Sequence, residues 1–311
     1  MTMAAMEHGY EEQGNQPGSK QELEQIEIEL LLSGVHRLYG YDFRNYALPS
    51  LKRRIWHHVH AESLPTISAL QEKVLHDRAC FERFVYSLSI PVTEMFRDPG
   101  LFLTFRQKVI PLLRTYPYIR IWHAGCSTGE EVYSMAIMLH EEGLYDKARI
   151  YATDMNARSL QQAKEGVYEI GKMKQYTKNY LEAGGTGAFS EYYTAKYNSV
   201  IFPAVFTQEY HFFAEHNLAT DTSFNEFNVI LCRNVMIYFN DELRDHVHGL
   251  FHESLSRFGV LVLGSKESIH FTRYSDSYEP LDRVEKIYRK KINSGLGGTY
   301  GGSGTDSYTA G

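Results

Sequence analysis

The chain has 311 residues, of which 43% are hydrophobic and 14% aromatic, enough for one large or two ordinary domains with buried cores. Its net charge of −6 argues against a nucleic-acid-binding protein, because such proteins need surplus basic side chains to displace counterions from phosphates. The three cysteines have no metal-binding spacing and are typical of reduced thiols in the cytoplasm. No apolar run is long enough to span a bilayer and the amino terminus is polar, so neither export nor membrane insertion is expected.

Composition divides the chain into regions. Residues 1–20 and 293–311 are rich in Gly, Ser and polar residues, with too few apolar groups to offset the entropy of ordering, and are predicted to be disordered tails. Residues 21–90 carry apolar residues at spacings of three and four, which predicts a small domain of three or four helices. From residue 91 to 292, short apolar runs alternate with amphipathic segments, which is typical of a parallel sheet covered by helices.

Four apolar runs are candidate buried strands of this second domain: Ile119–Ala124, Arg149–Thr153, Asn228–Cys232 and Gly259–Leu263. The region of about 168–213 interrupts the alternation with a glycine-rich stretch, followed by Tyr- and Phe-rich segments that favour β pairing. We interpret this region as a small inserted lobe.

The segment AGCSTGEE, residues 124–131, joins the first predicted strand to a helix. Its two glycines allow positive φ and close backbone approach, and the start of the helix offers unpaired N–H groups, so the turn can cradle a ligand. A purely structural interpretation is also open, because Ser127 with Glu130, or Thr128 with Glu131, matches a helix capping box. Taken alone, two glycines are weak evidence of a binding site.

Asp154 ends the second predicted strand. An acidic side chain at this place can accept hydrogen bonds from both hydroxyls of a ribose. Alternatively, Asp154 or Asn156 only caps the helix that begins near Arg158. The loop and the acid together favour an adenosine ligand. Because the loop lacks the GxGxxG pattern, a nucleotide-dependent oxidoreductase is disfavoured.

The segment FNVILCRNVMIYFN, residues 227–240, is a predicted strand that ends abruptly at Arg233 and Asn234 and is followed by Tyr238. In open α/β sheets the ligand lies beyond the carboxyl ends of the strands, so these polar residues are candidates for a site. In the structural interpretation, Asn234 is a turn former and Tyr238 a core aromatic residue.

Six motifs occur in a specific order and spacing: VTEMFRDP (92–99), AGCSTGEEVYSMA (124–136), ATD (152–154), AKEGVY (163–168), HNL (216–218) and CRNVMIYF (232–239). Together they resemble the CheR family of chemotaxis receptor glutamate methyltransferases, over roughly residues 25–290. The resemblance implies an α/β fold, with a class I S-adenosylmethionine methyltransferase (Rossmann-like) sheet, an N-terminal helical domain and a small inserted β-subdomain.

The resemblance further implies transfer of a methyl group from S-adenosylmethionine to glutamate side chains of a chemoreceptor-like protein, giving methyl esters and S-adenosylhomocysteine. The positions that match the family's cofactor contacts are Thr93, Arg97, Glu131, Asp154, Asn217, Leu218, Arg233 and Asn234. Arg97 and Tyr238 match residues expected near the methyl acceptor and are the candidate catalytic residues. No metal is implied. A carboxylate acceptor is ionised at neutral pH, so catalysis is expected to come mainly from positioning and water exclusion.

Two features depart from the family pattern. Pro91 stands where the family commonly has an asparagine that touches the cofactor, and proline has no side-chain donor. This keeps open a noncatalytic cofactor-binding or regulatory adaptor of the same fold. In the lobe, residues 185–190 lack the third glycine of the loop found in members that tether to a receptor's C-terminal peptide. Tethering by such a peptide is therefore not expected.

The helical region also carries a local cluster of basic residues: Lys52, Arg53, Arg54, His57, His58 and His60. The residue pattern alone favours a solvated helix face. The family resemblance suggests instead a docking surface for the acidic, glutamate-bearing helices of a receptor, with electrostatics setting the rate of encounter.

Overall fold

The computed structural model describes residues 20–88, 93–203, 211–270 and 272–291. The predicted tails lie outside these residues, except for Lys20, and so does Pro91. The chain divides into two compact units, residues 1–88 and residues 89–311. Among the described helices, none combines the length and the apolar character needed to cross a bilayer.

The described part of the first unit contains four helices: α1 (Lys20–Tyr39), α2 (Leu48–Ala61), α3 (Ile67–His76) and α4 (Arg78–Leu88). Their apolar faces meet in a core in which Leu31, Ile55 and Phe84 are fully buried. The start of α3 follows from its cap, because Thr66 Oγ1 accepts a hydrogen bond from the N–H of Ala69 at 3.1 Å.

The structure divides the basic cluster of α2 between two faces of the helix. Arg54 and His58 are only 6% and 4% exposed, and Arg54 donates a hydrogen bond to the carbonyl of Leu88. The exposed members are Lys52, Arg53, His57 and His60. Positions three and four apart on an amphipathic helix share one face, which here turns part of the cluster into the core. The prediction that all six residues belong to one surface is therefore wrong.

The second unit combines helices with strands. Its helices are α5 (Pro99–Lys108), α6 (Ile110–Leu113), α7 (Glu130–Glu141), α8 (Ala157–Glu165), α9 (Met173–Glu182) and α10 (Asp241–Ser254). Its strands are β1 (Ile119–Ala124), β2 (Ala148–Asp154), β3 (Val167–Glu169), β4 (Thr194–Lys196), β5 (Ser199–Ile201), β6 (His211–Glu215), β7 (Phe227–Cys232), β8 (Leu255–Leu263), β9 (Tyr278–Asp282) and β10 (Ile287–Lys290).

Seven strands form the main sheet in the order β6-β2-β1-β7-β8-β10-β9. The first five run parallel, and β10 pairs antiparallel with both of its neighbours, β8 and β9. The four predicted strands correspond to β1, β2, β7 and β8 at the centre of this sheet. In β1, Ile121 lies between Ile150 of β2 and Val229 of β7, and all three are fully buried. Continuous apolar runs are typical of strands covered on both faces, and the predicted α/β fold is confirmed.

The inserted lobe contains α9 and a small antiparallel sheet of order β3-β5-β4. Its predicted end, at about residue 213, is wrong, because His211–Glu215 forms β6 and pairs in parallel with β2 in the main sheet. Residues rich in Tyr and Phe favour β pairing in either sheet, so their composition does not indicate which sheet they join.

Glu141, at the end of α7, holds the lobe against that helix. Its Oε1 accepts hydrogen bonds from the hydroxyl of Tyr180, the hydroxyl of Tyr192 at 3.1 Å and the N–H of Thr186 at 3.1 Å. Its other oxygen pairs with the buried guanidinium of Arg106. Because α7 also begins directly after the glycine-containing loop, one helix connects the lobe with the candidate site.

Candidate functional site

The strand order reverses between β1 and β7. The chain proceeds from β1 outward to β2 and β6, and then returns to β7 and β8 on the other side. Ligands of open α/β sheets bind at such a switch point, beyond the carboxyl ends of the strands. The loops that follow β1 and β7, residues 125–129 and 233–235, therefore define the candidate site.

These two loops touch each other. Gly125 has a φ of +79°, and a Cβ at this position would lie 2.5 Å from Cγ2 of Val235, so the approach of the loops requires glycine. Helix α7 follows Gly129, which has a φ of +93°, and no side chain caps the helix. The predicted capping box is therefore wrong. Thr128 Oγ1 instead donates a hydrogen bond to Glu130 Oε2 at 2.6 Å.

Asp154 connects the loop after β1 with the end of β2. Its Oδ2 accepts a hydrogen bond from the N–H of Ser127 and its Oδ1 from the N–H of Asn156, both at 2.9 Å. The cap of α8 is Asn156, which accepts two N–H groups of the first turn, so Asp154 is not the cap. Burial raises the pKa of Asp154, and the backbone donors oppose this shift. A carboxylate has about four acceptor sites, which leaves capacity for a ligand hydroxyl.

Arg233, directly after β7, is the buried centre of a charge network. Its Nη1 donates to Glu131 Oε2 and its Nη2 to Asp98 Oδ2, each at 2.6 Å, and Nη2 also lies 3.2 Å from the carbonyl oxygen of Arg97. Glu131 Oε1 lies 2.9 Å from Nδ1 of His123 in β1. The Arg233 side chain is 3% exposed. One guanidinium thus joins the end of β7, the start of α7 and the segment before α5.

The network sets the charge state of its members. Burial opposes ionisation of Glu131, but the positive charge of Arg233 and the hydrogen bond with His123 outweigh it and lower the pKa of Glu131 to about 2. An ionised carboxylate only accepts hydrogen bonds, so Nδ1 of His123 is the donor. Burial raises the pKa of the neighbouring thiols of Cys126 and Cys232 well above its ordinary value, so neither is suited to act as a thiolate nucleophile.

The other predicted residues lie along the same edge of the sheet. Asn217 and Leu218 follow β6, where the Asn217 Oδ1 accepts a hydrogen bond from the N–H of Ala219 at 3.0 Å and Leu218 is buried. The N–H of His216 donates to the carbonyl of Asp154 at 3.2 Å, which brings this turn beside the end of β2. The predicted cofactor residues therefore extend from β6 to β7.

Three further predicted site residues differ in their backbone conformation and burial. Asn234 has a φ of +60° in the loop after β7. Tyr238 ends the short turn Met236–Tyr238 and is half-buried. Thr93 is also half-buried, at the start of the segment that carries Arg97. The charge network joins Glu131, Arg233 and the backbone of Arg97 directly.

Sequence reasoning missed three residues of this region: Asp98, His123 and Glu267. Asp98 is part of the motif VTEMFRDP. His123 is a polar residue in an apolar strand, and Glu267 is an acid just beyond β8, so each offered a weak signal. Glu267 accepts hydrogen bonds from the N–H groups of the loop after β7.

The residues present fit S-adenosylmethionine, the cofactor that the family resemblance implies. Asp154 and Glu131 supply acceptors suited to hydroxyl groups, and Gly125 allows close backbone approach. In the described part of the chain, Nε of Arg233 is a buried donor without a hydrogen-bond partner.

Replacing Glu131 by Gln should lower the free energy of unfolding at pH 7 by on the order of 3 kcal/mol, because the folded state lowers this pKa from 4.5 to about 2. This stabilisation is fully present above pH 4.5 and is lost as the pH falls through 2. Urea unfolding from pH 7 to about pH 3 should show wild type and variant converging in acid. Glu182→Gln, from an exposed pair with Lys178, is the control. A gap that stays constant with pH would contradict the prediction.

Two family models match this chain. The family model described as "CheR methyltransferase, SAM binding domain" matches residues 91–282, and "CheR methyltransferase, all-alpha domain" matches residues 26–89. A Pseudomonas putida protein named "Putative methyltransferase Cher3" is 54% identical over 85% of this chain and 97% of its own length. The "Chemotaxis protein methyltransferase" of Listeria monocytogenes is 30% identical over 76% of this chain and 87% of its own.

A solved structure, the N-methyltransferase NodS of Bradyrhizobium japonicum in complex with S-adenosyl-l-homocysteine, aligns with 71% of this chain and 96% of its own at 11% identity and a TM-score of 0.36. That likeness is too distant to add to the assignment, which rests on the family models and the relatives. The chain belongs to the CheR family of S-adenosylmethionine-dependent methyltransferases of chemotaxis.

Proposed function

We propose that this methyltransferase acts on glutamate side chains of a chemoreceptor-like protein, giving glutamate methyl esters and S-adenosylhomocysteine. The observation that supports it most directly is the position of Arg97. Its carbonyl oxygen accepts a hydrogen bond from Arg233, and its neighbour Asp98 pairs with the same guanidinium. The Arg97 backbone is therefore fixed beside the proposed cofactor residues, where a cation is suited to orient a carboxylate acceptor.

The proposed chemistry requires little from the protein beyond positioning. S-adenosylmethionine supplies a methyl group on a sulfonium, which is a good leaving group. The acceptor carboxylate is ionised at neutral pH and needs no general base. Arg97 orients that carboxylate, Tyr238 donates a hydrogen bond to it, and the bound reactants displace water from the crevice at the edge of the sheet. Orientation of this kind contributes up to roughly 7 to 11 kcal/mol in well-aligned reactions.

The alternative of a noncatalytic adaptor depended on Pro91, which lies outside the described residues. The described residues give it no support. A cytoplasmic location is part of the proposal and agrees with the three cysteines, all of which are free and buried.

Incubation with tritiated cofactor and chemoreceptor-containing membranes should label the receptors in a form that base releases as methanol. Replacing Arg97 by Ala should lower this transfer at least about 100-fold, since even small misplacement of the acceptor has such effects, while circular dichroism stays unchanged. Arg257→Ala, at an exposed position of β8, is the matched control and should keep the wild-type rate. Base-stable labelling would exclude a glutamate ester, and a fully active Arg97→Ala variant would exclude the assigned role.

The lobe supports the prediction that no receptor-tail peptide is needed as a tether. Two backbone donors of its glycine-rich loop are already used within the chain. The N–H of Thr186 donates to Glu141 at 3.1 Å, and the N–H of Gly187 donates to the hydroxyl of Tyr180 at 2.8 Å. A peptide that adds its backbone to this loop would have to displace these internal partners.

Calorimetric titration with a receptor-tail peptide should accordingly give a Kd weaker than about 100 μM. Receptors lacking the tail should be methylated at the same rate as intact receptors. A low-micromolar Kd, or a rate that depends on the tail, would contradict this prediction.

The exposed residues of the basic cluster support docking of a receptor, but on a smaller surface than the sequence predicts. Arg53, His57 and His60 are spaced by four and three residues and lie on one exposed face of α2. The fourth exposed member, Lys52, is paired with Glu24 of α1. The proposed docking face therefore consists mainly of Arg53 and two histidines.

The rate of receptor methylation should fall steeply as salt is raised from about 50 to about 300 mM, because screening weakens attraction between exposed charges. Arg53→Glu should slow methylation roughly tenfold at low salt and flatten the salt profile. Arg37→Glu makes the same charge change at an exposed position of α1 and should have little effect. Equal rates for both variants would favour a merely solvated helix face.

A further inference from the structure

We propose that Glu267 is a positioning residue that holds the loop after β7 in the conformation required to bind the cofactor. The inference rests on the proposed assignment of Arg233 and Asn234 to cofactor binding. It concerns Glu267, which is not one of the predicted cofactor residues and which binds the backbone of residues that follow β7.

The Glu267 carboxylate accepts hydrogen bonds from four backbone N–H groups. Its Oε2 accepts from Gly264 at 2.6 Å and from Asn234 at 3.1 Å, and its Oε1 accepts from Val235 at 2.9 Å and from Met236 at 2.8 Å. Four donors fill the capacity of one carboxylate. Three of them belong to consecutive residues, Asn234 and Val235 of the loop after β7 and Met236 of the turn that follows, so a single side chain fixes this stretch of backbone.

The surroundings of Glu267 exclude an ordinary structural ion pair. The residue is 5% exposed, and within the described ranges no Lys or Arg lies within ion-pair distance of its carboxylate. Consecutive N–H groups that converge on one point form a concave site for an anion. Here the protein supplies that anion itself, and its negative charge is balanced by backbone dipoles.

The loop needs such a support because its conformation is unfavourable. Asn234 has a φ of +60°, a left-handed conformation that asparagine adopts more easily than other non-glycine residues but that still requires support from its surroundings. Val235 contacts the glycine-containing loop, since a Cβ on Gly125 would lie 2.5 Å from its Cγ2. Met236 begins the turn that ends at Tyr238. Displacement of this loop would therefore shift Asn234, the contact with Gly125 and Tyr238 together.

Glutamine at this position tests the charge and the acceptors without changing the shape. Its amide nitrogen would face two N–H donors instead of accepting from them, and two buried donors would lose their partner. We expect Glu267→Gln to raise the Kd of S-adenosylhomocysteine at least tenfold, measured by calorimetry on protein that circular dichroism shows to be folded. A Kd within twofold of wild type would overturn the proposal.

Glu62→Gln provides a matched control for general loss of stability. Glu62 is a largely buried carboxylate in the helical unit that accepts hydrogen bonds from Lys73 and Arg83, both at 2.7 Å. Its replacement should lower Tm but leave the Kd of S-adenosylhomocysteine unchanged for the folded protein. An equal rise of Kd in both variants would mean that Glu267 acts only through stability.

Hydrogen exchange of the wild-type protein keeps the proposal testable if Glu267→Gln does not fold. The amides of Asn234, Val235 and Met236 should be protected even without ligand, whereas that of the exposed Ser265 should exchange fast. Fast exchange at all four amides would overturn the proposal. Failure of the wild type to bind S-adenosylhomocysteine would instead count against cofactor use, so the two outcomes are distinguishable.

Discussion

The site depends on one buried guanidinium, that of Arg233. Removing a charge from water is unfavourable by several kcal/mol, and only close acidic partners with good geometry offset this. Glu131 and Asp98 are those partners, each at 2.6 Å, and they come from the start of α7 and from the segment before α5. Because each acid binds a different nitrogen of the same guanidinium, three distant parts of the chain are held in one arrangement.

The sheet determines why these parts meet. Parallel strands place their carboxyl ends on one edge, and the reversal of strand order between β1 and β7 leaves a crevice there. Gly125 allows the loops after β1 and β7 to touch, and Asp154 ties the loop after β1 to the end of β2. The same helix, α7, carries Glu131 at its first turn and Glu141 at its last. A shift of the lobe would therefore act on the charge network through a rigid helix.

The central strands could be predicted from the sequence because burial on both faces produces uninterrupted apolar runs, as in Ile119–Ala124. The features that the sequence did not predict correctly have a common cause. Each depends on which distant part of the chain a local segment contacts. The strand His211–Glu215 could join either sheet, and Arg54 faces the core although its neighbour Arg53 does not. The acceptor of three consecutive N–H groups after β7 is Glu267, about thirty residues away, which local patterns cannot indicate.

The charge balance of the site is consistent with the proposed reaction. Glu131 and Asp98 place two carboxylates beside the single guanidinium of Arg233, so this group carries a surplus of negative charge that suits a positively charged sulfonium cofactor. Attack of a carboxylate on a sulfonium methyl group cancels two opposite charges. Water stabilises the separated charges more than the transition state, so a site that excludes water favours the reaction without an acid or a base. What the protein must supply is a dry, rigid edge of the sheet, and the interlocked loops beyond β1 and β7 are suited to provide it.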